Sequence, residues 1–393
     1  MRKNIPLLMI FLVVFVDLVG FGILMPILPS YAIGHLKASE SSIGIVIASY
    51  SFVQFLFNPF FGSLSDKYGR RRIILFTLLI NALGYIVFAF FETFPMLLFS
   101  RVIAGIGGST LGVAQAYIAD VTSKEDRAKG MGLMGVAFGL GFVFGPVIGG
   151  ILSKWGYMVT GLGAASFSLI AFSLSVFLLP ETSRALDSSD TRMRKPFDLA
   201  SFRKVFASRT VAVVIIMFFV VTFSMANIYG TFPLLGEKIY HFDDRTNGYL
   251  FGVIGFVGII IQGGVIRQLA KIFSDTQLIS LGALCLVVGL SGLPFGGSIT
   301  GLIVITVIMA CGSGILQPTL LSLVSKVAPE AEQGMVLGIN QSLSAFARML
   351  GPLWGGFSFQ YLGYQAPFLT GGIMTFLLFV FSVRFLYKHI QHV

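Results

Sequence analysis

One carboxyl group, that of Asp17, stands in an apolar run of sequence that begins near Ile5. An acid in a nonpolar membrane segment costs about 2.5–3.5 kcal/mol on insertion scales, so its retention indicates a function. Burial favours the neutral form of a carboxyl group and a nearby cation favours the ionised form, so a carboxyl group balanced between these two effects exchanges protons near neutral pH. Asp17 is therefore predicted to carry protons. The alternative is a permanent ion pair of Asp17 with Arg101 that only fixes two helices.

A second charged cluster is predicted in the sequence GSLSDKYGRRR, residues 62–72. Its glycines allow a tight turn, and Asp66 can cap a helix or pair with an arginine, which would hold one conformation and release another. Arg70 has a candidate partner in Asp120, at the end of a later apolar run. The alternative is a positively charged anchor at the membrane surface, which suits the last two arginines better than Asp120. The residues of this predicted gate are Gly62, Asp66, Gly69, Arg70 and Asp120.

The elements that must position these groups are long apolar helices. The chain of 393 residues is 55% hydrophobic and only 11% charged, with a mean hydropathy of +0.89, whereas soluble domains carry about 25% charged residues. A bilayer-spanning helix needs about 20 apolar residues. The pattern predicts an all-α membrane protein with twelve transmembrane helices. The twelve apolar runs are 5–28, 42–64, 73–92, 96–119, 130–152, 158–180, 210–236, 247–266, 278–295, 301–323, 335–357 and 366–386.

The distribution of positive charge predicts the topology. The first run follows a basic start but lacks a small-residue cleavage site, so we expect a retained helix rather than a signal peptide. Of the 27 Lys and Arg, four lie in loops assigned to the outside (Lys37, Lys154, Lys238 and Arg245), and nearly all others lie in cytoplasmic loops and termini. The positive-inside rule explains this bias and places both termini in the cytoplasm. It also accounts for the net charge of +10 without nucleic acid.

Metal and covalent chemistry find no support in the sequence. The four histidines fall in loops or the tail, and Cys285 and Cys311 lie inside predicted helices as small core residues. We therefore predict no metal site and no cofactor, with a proton gradient as the energy source. An intramembrane enzyme would need clustered nucleophiles or acid–base groups. The sequence lacks such clusters, and we predict that the chain is not an enzyme.

The sequence contains two related halves. Residues 108–131 align with residues 312–335 at a constant shift, and GPVIGG at 145–150 matches GPLWGG at 351–356 after a short insertion. Such repeats are typical of transporters in which two bundles rock about a site near the middle of the membrane.

The predicted domains are a six-helix bundle at 1–180, a charged linker at 181–208 and a second six-helix bundle at 209–393. Within the linker, apolar residues at helical spacing favour a short amphipathic helix on the cytoplasmic membrane surface. A solvated linker without such a helix is the alternative.

These motifs resemble those of the major facilitator superfamily. GSLSDKYGRRR matches its signature between helices 2 and 3, RVIAGIGG at 101–108 is similar to its helix-4 arginine motif, and GLGFVFGPVIGG at 139–150 resembles the helix-5 motif of drug:proton antiporters. LLPET at 178–182 is also common there, and DLVGFGILMPILP at 17–29 is similar to tetracycline/proton antiporters. The resemblance covers essentially the whole chain and implies twelve helices in two pseudo-symmetric six-helix bundles.

The resemblance also implies roles for particular residues. Asp66, Arg70 and Asp120 would form a cytoplasmic gate, and Arg101 would lie near the proton-carrying acid. The helix-5 motif would seal the outer side, because small residues allow tight packing in lipid and a proline kinks the helix. The residues of this antiporter motif are Gly139, Gly141, Gly145, Pro146, Gly149 and Gly150.

One departure from the tetracycline exporters bears on the substrate. Those proteins carry an acid in helix 3 where this chain has Gly84, and another in helix 9, whereas residues 278–295 here contain none. The missing acid argues against tetracycline itself as the substrate. It also leaves Asp17 as the single predicted proton carrier.

Polar residues within the predicted helices are the candidates for a substrate cavity. Because most are neutral and the chain holds 40 Phe and 14 Met, such a cavity suits an amphipathic or lipophilic compound. Arg348 differs in its charge; it either attracts an anionic group of the substrate or bonds to helix carbonyls. The candidates are Gln54, Asn58, Gln115, Tyr117, Asn227, Tyr229, Gln262, Gln317, Asn340, Gln341 and Arg348.

Together these features predict a proton-coupled exporter (an antiporter) of small amphipathic or lipophilic compounds, multidrug- or tetracycline-like, that works by alternating access. The alternative among transporters is an exporter of a native metabolite such as a siderophore, sugar or lipid. A sensor or scaffold that transports nothing is a third hypothesis, although it would not need both gate motifs. We expect a monomer in the bacterial cytoplasmic (inner) membrane, with a small-molecule substrate and the lipid bilayer as partners.

Overall fold

The computed structural model describes residues 5–122, 127–182, 199–329 and 333–386, and all regular structure in these ranges is helical. Short π-helical turns follow α11 and α16, and the all-α class predicted from the sequence is confirmed. The helices are α1 (Ile5–Leu24), α2 (Ile27–Gly34), α3 (Glu40–Tyr68), α4 (Arg70–Ala89), α5 (Phe94–Gly107), α6 (Thr110–Val121), α7 (Arg127–Leu152), α8 (Tyr157–Leu178), α9 (Leu199–Ala207), α10 (Arg209–Lys238), α11 (Asp244–Ile260), α12 (Ile266–Ile272), α13 (Asp275–Gly292), α14 (Ile299–Val327), α15 (Gln333–Tyr361) and α16 (Ala366–Phe381).

Eleven segments of the described residues are long and apolar enough to cross a membrane. Three of them combine two helices each: α1 with α2, α5 with α6, and α11 with α12. The other long helix, α15, has 29 residues, but Asn340, Gln341 and Arg348 lower its mean hydropathy. The twelve predicted runs thus correspond to eleven apolar spans and one long helix of more polar composition.

The chain divides into two compact units. Unit 1 contains Met1–Ala38, Ser49–Pro196 and Phe242–Gly252. Unit 2 contains Ser39–Ala48, Phe197–His241 and Val253–Val393. Each unit therefore includes one helix end from the other half of the sequence, because the start of α11 belongs to unit 1 and the start of α3 to unit 2.

Unit 1 is built around two helices, α1 and α4. Helix α1 packs along α7 and α8, while α4 packs against α5 and α8. Its core is largely aliphatic and includes Val14, Leu18, Ile74 and Leu78, each at most 4% exposed. Helices α1, α4, α5 and α8 carry the buried polar residues described below.

Unit 2 has an analogous arrangement of helix pairs. Helix α10 packs against α15 and α16, and α13 packs against α14 and α16. Lipid offers no hydrophobic driving force for helix association, so small residues that permit close approach become important. Gly312 on α14 shows this, because an added Cβ would lie 2.8 Å from the carbonyl oxygen of Gly282 on α13.

Helix α9 lies within the predicted linker and is amphipathic. Val205 is 2% exposed, whereas Arg203 and Lys204 are exposed. The helix packs against α10 and α15 of unit 2. Of the two structures considered for this segment, a short helix and a linker without one, the structure contains the short helix, at Leu199–Ala207.

Candidate functional site

Asp17 lies in the interior of unit 1, where uncharged groups surround it. Its side chain on α1 is 4% exposed. Oδ1 of Asp17 accepts a hydrogen bond from Nδ2 of Asn81 on α4 at 2.8 Å and from Oγ of Ser168 on α8 at 3.0 Å. Three helices therefore meet at one carboxyl group, and neither of the two donors brings a charge.

Arg101 on α5 is also buried in unit 1, at 4% exposure. Its Nε donates to Oγ of Ser100 at 3.3 Å, and its guanidinium carbon lies 5.8 Å and 5.1 Å from the ring centres of Tyr85 and Phe88. Within the described ranges, Arg101 forms no salt bridge with Asp17. The permanent ion pair considered from the sequence is therefore not the arrangement in this structure.

Three polar atoms of this region have no hydrogen-bond partner in the part of the chain that the structure describes. They are Nη2 of Arg101, Oη of Tyr85 and Oδ1 of Asn81. Tyr85 lies within electrostatic range of both Asp17 and Arg101. Buried polar groups are normally satisfied, and ordered water commonly fills such positions.

Close helix contacts position these side chains. A Cβ added at Gly107 on α5 would lie 2.5–2.7 Å from backbone and Cβ atoms of Asn81. At Gly84 on α4 it would lie 2.7–2.9 Å from Ala104. Real Cβ atoms do not approach so closely, so α4 and α5 can cross here only with glycine at both positions. An acid at position 84 would have no room in this packing.

The predicted cytoplasmic gate residues meet around Arg70. Nε of Arg70 donates to Oδ2 of Asp120 at 2.9 Å, and Nη2 forms an ion pair with Asp66. Nη1 donates to Oγ of Ser65 at 2.6 Å and to the carbonyl oxygen of Gly62 at 3.3 Å. One guanidinium therefore links the end of α3, the start of α4 and the end of α6. Gly69, with φ of +98°, makes the turn between α3 and α4.

Glu181 lies beside the Arg70 cluster, although sequence reasoning did not assign it a role. Its Oε1 accepts from the backbone N–H of Arg71 at 3.1 Å, in the first turn of α4. The Arg71 guanidinium in turn donates to the carbonyl oxygens of Ser175 and Val176 near the end of α8. Negative charge at a helix N-terminus and positive charge at a C-terminus are both stabilising. The LLPET sequence at 178–182 was the available signal.

The antiporter motif forms a line of close contacts along α7 in unit 1. Added Cβ atoms would overlap Leu18 at Gly141, Gly22 at Gly145 and the carbonyl oxygen of Ile23 at Gly149. The motif therefore packs directly on α1, beginning at the residue after Asp17. Gly150 faces Asp244 and Arg245 at the start of α11, with an added Cβ 2.9 Å from each. Gly139 and Pro146 lie in the same helix and complete the predicted set.

Two glycine contacts in the molecule have nearly the same geometry. In unit 1, a Cβ at Gly248 on α11 would overlap the carbonyl oxygen of Pro146 and lie 3.3 Å from Cα of Gly150. We call this the unit 1 glycine contact. In unit 2, a Cβ at Gly44 on α3 would overlap the carbonyl oxygen of Pro352 and lie 3.3 Å from Cα of Gly356. We call this the unit 2 glycine contact.

Polar contacts accompany the unit 2 glycine contact. The backbone N–H of Ser41 donates to Oε1 of Gln360 at 3.0 Å, joining the start of α3 to α15. Glu40 forms an ion pair with Lys238 at the end of α10. Both GPxxGG sequences of the repeat therefore hold the first turns of a long helix from the other half of the sequence.

The residues predicted for a substrate cavity are distributed over both units. Some bond to helix backbone instead: Gln54 donates to the carbonyl oxygen of Gly108 at 2.8 Å, Asn227 to that of Pro367 at 2.7 Å, and Tyr117 to that of Pro180 at 3.0 Å. Unit 1 contains Gln54, Asn58, Gln115 and Tyr117, and unit 2 contains Asn227, Tyr229, Gln262, Gln317, Asn340, Gln341 and Arg348.

The predicted cavity residues of unit 2 differ in exposure. Gln262 and Gln341 are exposed, and Asn340 is buried. Arg348 and Tyr229 are each partly buried and lie within electrostatic range of each other. The pair brings the one charged residue among the candidates next to an aromatic hydroxyl.

Comparison with known proteins agrees with this architecture. The sequence profile of the Major Facilitator Superfamily matches residues 10–352 and 269–391. Tetracycline resistance protein, class C, from Escherichia coli is 32% identical over 361 residues, which cover 90% of this chain and 89% of that protein. Multidrug resistance protein 2 from Bacillus subtilis (strain 168) is 28% identical over 371 residues, covering 92% and 90%.

A solved structure shows the same fold. The crystal structure of the human organic anion transporter MFSD10 (TETRAN) matches with a TM-score of 0.74 at 24% identity, covering 97% of this chain and 100% of that chain. Fold and sequence together define an integral membrane transporter rather than an enzyme. The chain belongs to the Major Facilitator Superfamily, and among its relatives are tetracycline and multidrug resistance proteins. The family predicted from the sequence motifs is confirmed.

Proposed function

We propose that this protein is a proton-coupled exporter of small amphipathic or lipophilic compounds, with Asp17 as the proton carrier. The observation that carries the proposal is the setting of Asp17. It is a buried carboxyl group in a membrane helix, held by two uncharged donors and not neutralised by an ion pair with Arg101. A purely structural acid would be expected to have a charged partner, because an unpaired buried charge is costly.

The relatives support the proposed direction of transport and the proposed substrate class. The similar proteins named for resistance to tetracycline and to multiple drugs support export of drug-like compounds. The aromatic and methionine-rich composition supports a lipophilic or amphipathic substrate. We include Arg348, Tyr229 and Asn340 of unit 2 among the residues that would contact it.

The two kinds of contact described above support alternating access. The Arg70 network lies at the ends of α3 and α6 that the positive-inside rule assigns to the cytoplasm. The glycine contacts lie at the opposite ends of α3, α7, α11 and α15. We propose that these two sets open in turn. With this assignment both termini lie in the cytoplasm. We further propose that the membrane is a bacterial inner membrane and that one chain is the working unit.

The energy available to one carrier is adequate for export. Moving one elementary charge through 100 mV provides about 2.3 kcal/mol. At about 1.4 kcal/mol per tenfold change in equilibrium, this corresponds to roughly a 50-fold concentration ratio. A single carboxyl group therefore suffices to drive useful efflux.

The test is growth protection in an efflux-deficient bacterial host, followed by transport in everted membrane vesicles. The panel would contain tetracycline, quinolones and lipophilic cationic dyes. We expect protection against at least one compound, dependence of its movement on an imposed proton gradient, and loss of that dependence in Asp17→Asn. Uphill transport by Asp17→Asn at the wild-type rate would exclude Asp17 as the carrier.

A further inference from the structure

Both hydrogen bonds to Asp17 reach the same oxygen. Nδ2 of Asn81 lies 2.8 Å from Oδ1 of Asp17, and Oγ of Ser168 lies 3.0 Å from it. The two donors are themselves 3.4 Å apart, so they form one cluster around Oδ1. Oδ2 accepts no hydrogen bond from the residues that the structure describes. The two oxygens of this carboxyl group are therefore not equivalent.

This asymmetry matters because the two oxygens of a protonated carboxyl group have different roles. An ionised carboxylate accepts hydrogen bonds at both oxygens, whereas the neutral acid has one hydroxyl oxygen, which donates, and one carbonyl oxygen, which accepts. A proton placed on Oδ1 would compete with the two N–H and O–H donors already there. A proton placed on Oδ2 leaves both hydrogen bonds intact.

We infer that Asn81 and Ser168 are positioning residues for the carrier, which keep Oδ1 as the carbonyl oxygen and leave Oδ2 to take and release the proton. Addition of a proton to Oδ2 forms one O–H bond and converts the carboxylate into the neutral acid. Release breaks that bond and restores the carboxylate, with no other bond changed. The inference rests on the proposed function of Asp17, and it assigns that function to one atom.

The groups facing Asp17 from the neighbouring helices do not provide another acid. Tyr85 on α4 lies within electrostatic range of Asp17, and Arg101 on α5 and Tyr50 on α3 lie within range of Tyr85. Asp120 on α6 is bonded to Arg70 at the helix end. Residues 133–178 contain the membrane spans of α7 and α8. Lys154 is the one acidic, basic or histidine residue in this range, and it lies in the turn between the two helices.

The backbone fixes both donors rigidly. Asn81 sits where Gly107 allows α5 to contact α4 closely. Ser168 sits opposite Gly20 of α1, where an added Cβ would lie 3.0 Å from the carbonyl oxygen of Ala164 and 3.6 Å from Oγ of Ser168. Donors held in this way lose little conformational entropy when they bond, which is the requirement for a positioning residue.

The test is an infrared titration of the full-length protein in liposomes, with protons as the only ligand. A protonated carboxyl group has a carbonyl stretching band whose frequency falls when its carbonyl oxygen accepts hydrogen bonds. The chain has 17 Asp and Glu residues, each of which gives such a band when protonated; we expect one of these bands to titrate in the wild type and to be absent in Asp17→Asn. In Ser168→Ala and Asn81→Ala the band should move to higher frequency. Its midpoint should rise by about one pH unit, because donors to a charged group favour ionisation.

Matched controls separate positioning from general destabilisation. Ser175 lies on the same helix as Ser168 and is fully buried, and its hydroxyl donates to the carbonyl oxygen of Ala171 in its own helix. Ser175→Ala should leave both frequency and midpoint unchanged, as should Thr77→Val, one turn from Asn81 on α4. Ser168→Thr, which keeps the hydroxyl, should retain the wild-type midpoint. Ser168→Ala is the mildest informative change and keeps the test valid if Asn81→Ala fails to fold.

The outcomes distinguish the inference from the proposed function. If Asp17→Asn retains the titrating band, Asp17 is not the titrating group and the proposed function loses its carrier. If the band disappears in Asp17→Asn but keeps its frequency and midpoint in both Ser168→Ala and Asn81→Ala, Asp17 remains the carrier. In that case the positioning role of the two donors is wrong.

Discussion

Helix α7 in unit 1 and helix α15 in unit 2 pack against a neighbouring helix in the same way. Gly145 and Gly149 of α7 lie against Gly22 and Ile23 of α1. Gly351 and Gly355 of α15 lie against Ala226 and Asn227 of α10, at the equivalent places of the repeat. The packing is therefore shared between the two units, down to the glycine contact at the end of each helix.

The chemistry of the two units is not shared. The shift in sequence that relates Gly44 to Gly248 also relates Asp17 to Val221, which is 1% exposed. Unit 1 thus has a carboxyl group where unit 2 has a hydrocarbon side chain. The comparison teaches that the repeat preserves the helix contacts, while the buried carboxyl group that we propose as the proton carrier has no counterpart at the equivalent position of unit 2.

The largest effect is expected when the acid is transferred from unit 1 to the equivalent position of unit 2. Asp17→Asn should abolish uphill transport, and the double variant Asp17→Asn/Val221→Asp should not restore it, because the acid would lack the cluster formed by Asn81 and Ser168. Proton-driven transport in vesicles measures both. Recovery of transport in the double variant would show that unit 2 can carry the proton equally well.

A bulky residue at either glycine contact tests whether the two contacts are equivalent. Overpacking of this kind costs about 1–3 kcal/mol. Gly44→Trp and Gly248→Trp should each favour opening at that end of the helices and reduce transport roughly tenfold or more. Labelling of a cysteine introduced nearby, with a membrane-impermeant thiol reagent added outside, should increase in both. An effect of one substitution without the other would show that the contacts have different roles.

The ends of the two units that are predicted to face the cytoplasm differ in how their charges are buried. Arg70 is 12% exposed and Asp120 9% exposed, whereas Lys326 and Asp275 of unit 2, with Nζ 2.6 Å from Oδ2, are 47% and 28% exposed. Arg70→Ala leaves a buried carboxylate without its partner, at a cost of about 1–3 kcal/mol, so turnover should fall about tenfold.

The matched change in unit 2 is Lys326→Ala. An exposed pair contributes little, about 0–1 kcal/mol at most, so the transport rate should change less than about fivefold. Rates for both variants can be measured in the same vesicles at equal expression. A larger loss in Lys326→Ala than in Arg70→Ala would reverse the assignment of the gate to unit 1.

The smallest expected difference concerns the residues before the two helices that carry the contact glycines. Asp243 directly precedes α11, and its Oδ1 accepts a hydrogen bond from the backbone N–H of Thr246 at 2.8 Å. Ser39 directly precedes α3, and its Oγ accepts a hydrogen bond from the backbone N–H of Ser42 at 3.3 Å. Hydrogen bonds from Thr246 hold the pKa of Asp243 below its usual range.

The stabilisation from Asp243 is therefore present above the pKa of the unfolded residue and is lost as pH falls through the lower folded value. Amide hydrogen exchange at the start of α11 should accelerate more than at the start of α3 as the pH falls below 3.8, the ordinary pKa of an aspartic acid, after correction for intrinsic rates. Asp243→Ser should remove this difference. Equal acid sensitivity of both helix ends in the wild type would contradict the prediction.

Most of the fold could be predicted from the sequence because lipid imposes simple rules. Long apolar runs, the repeat and the family resemblance predicted the helices, and Arg70 meets both Asp66 and Asp120 as expected. The hydrogen-bond partners of Asp17 could not be predicted. Asn81 and Ser168 are ordinary residues in apolar helices, and their importance depends on where three helices cross.

Polarity alone was a weaker guide to the substrate cavity. Tyr117 and Asn227 were selected because they are polar residues in predicted membrane helices. In the structure, Tyr117 donates to the carbonyl oxygen of Pro180, just after α8, and Asn227 donates to that of Pro367, in the first turn of α16. Proline removes a backbone donor and so disturbs the local bonding. The sequence does not distinguish polar side chains that bond to the backbone near a proline from polar side chains that contact a substrate.

The contact of Gly84 with Ala104 limits how this protein can change during evolution. A second carboxyl group on α4 at this position cannot arise by one substitution, because the side chain would collide with α5. The neighbouring helix would have to move, or other residues would have to change at the same time. A second acid at this position is therefore compatible with the fold only together with a compensating change on α5.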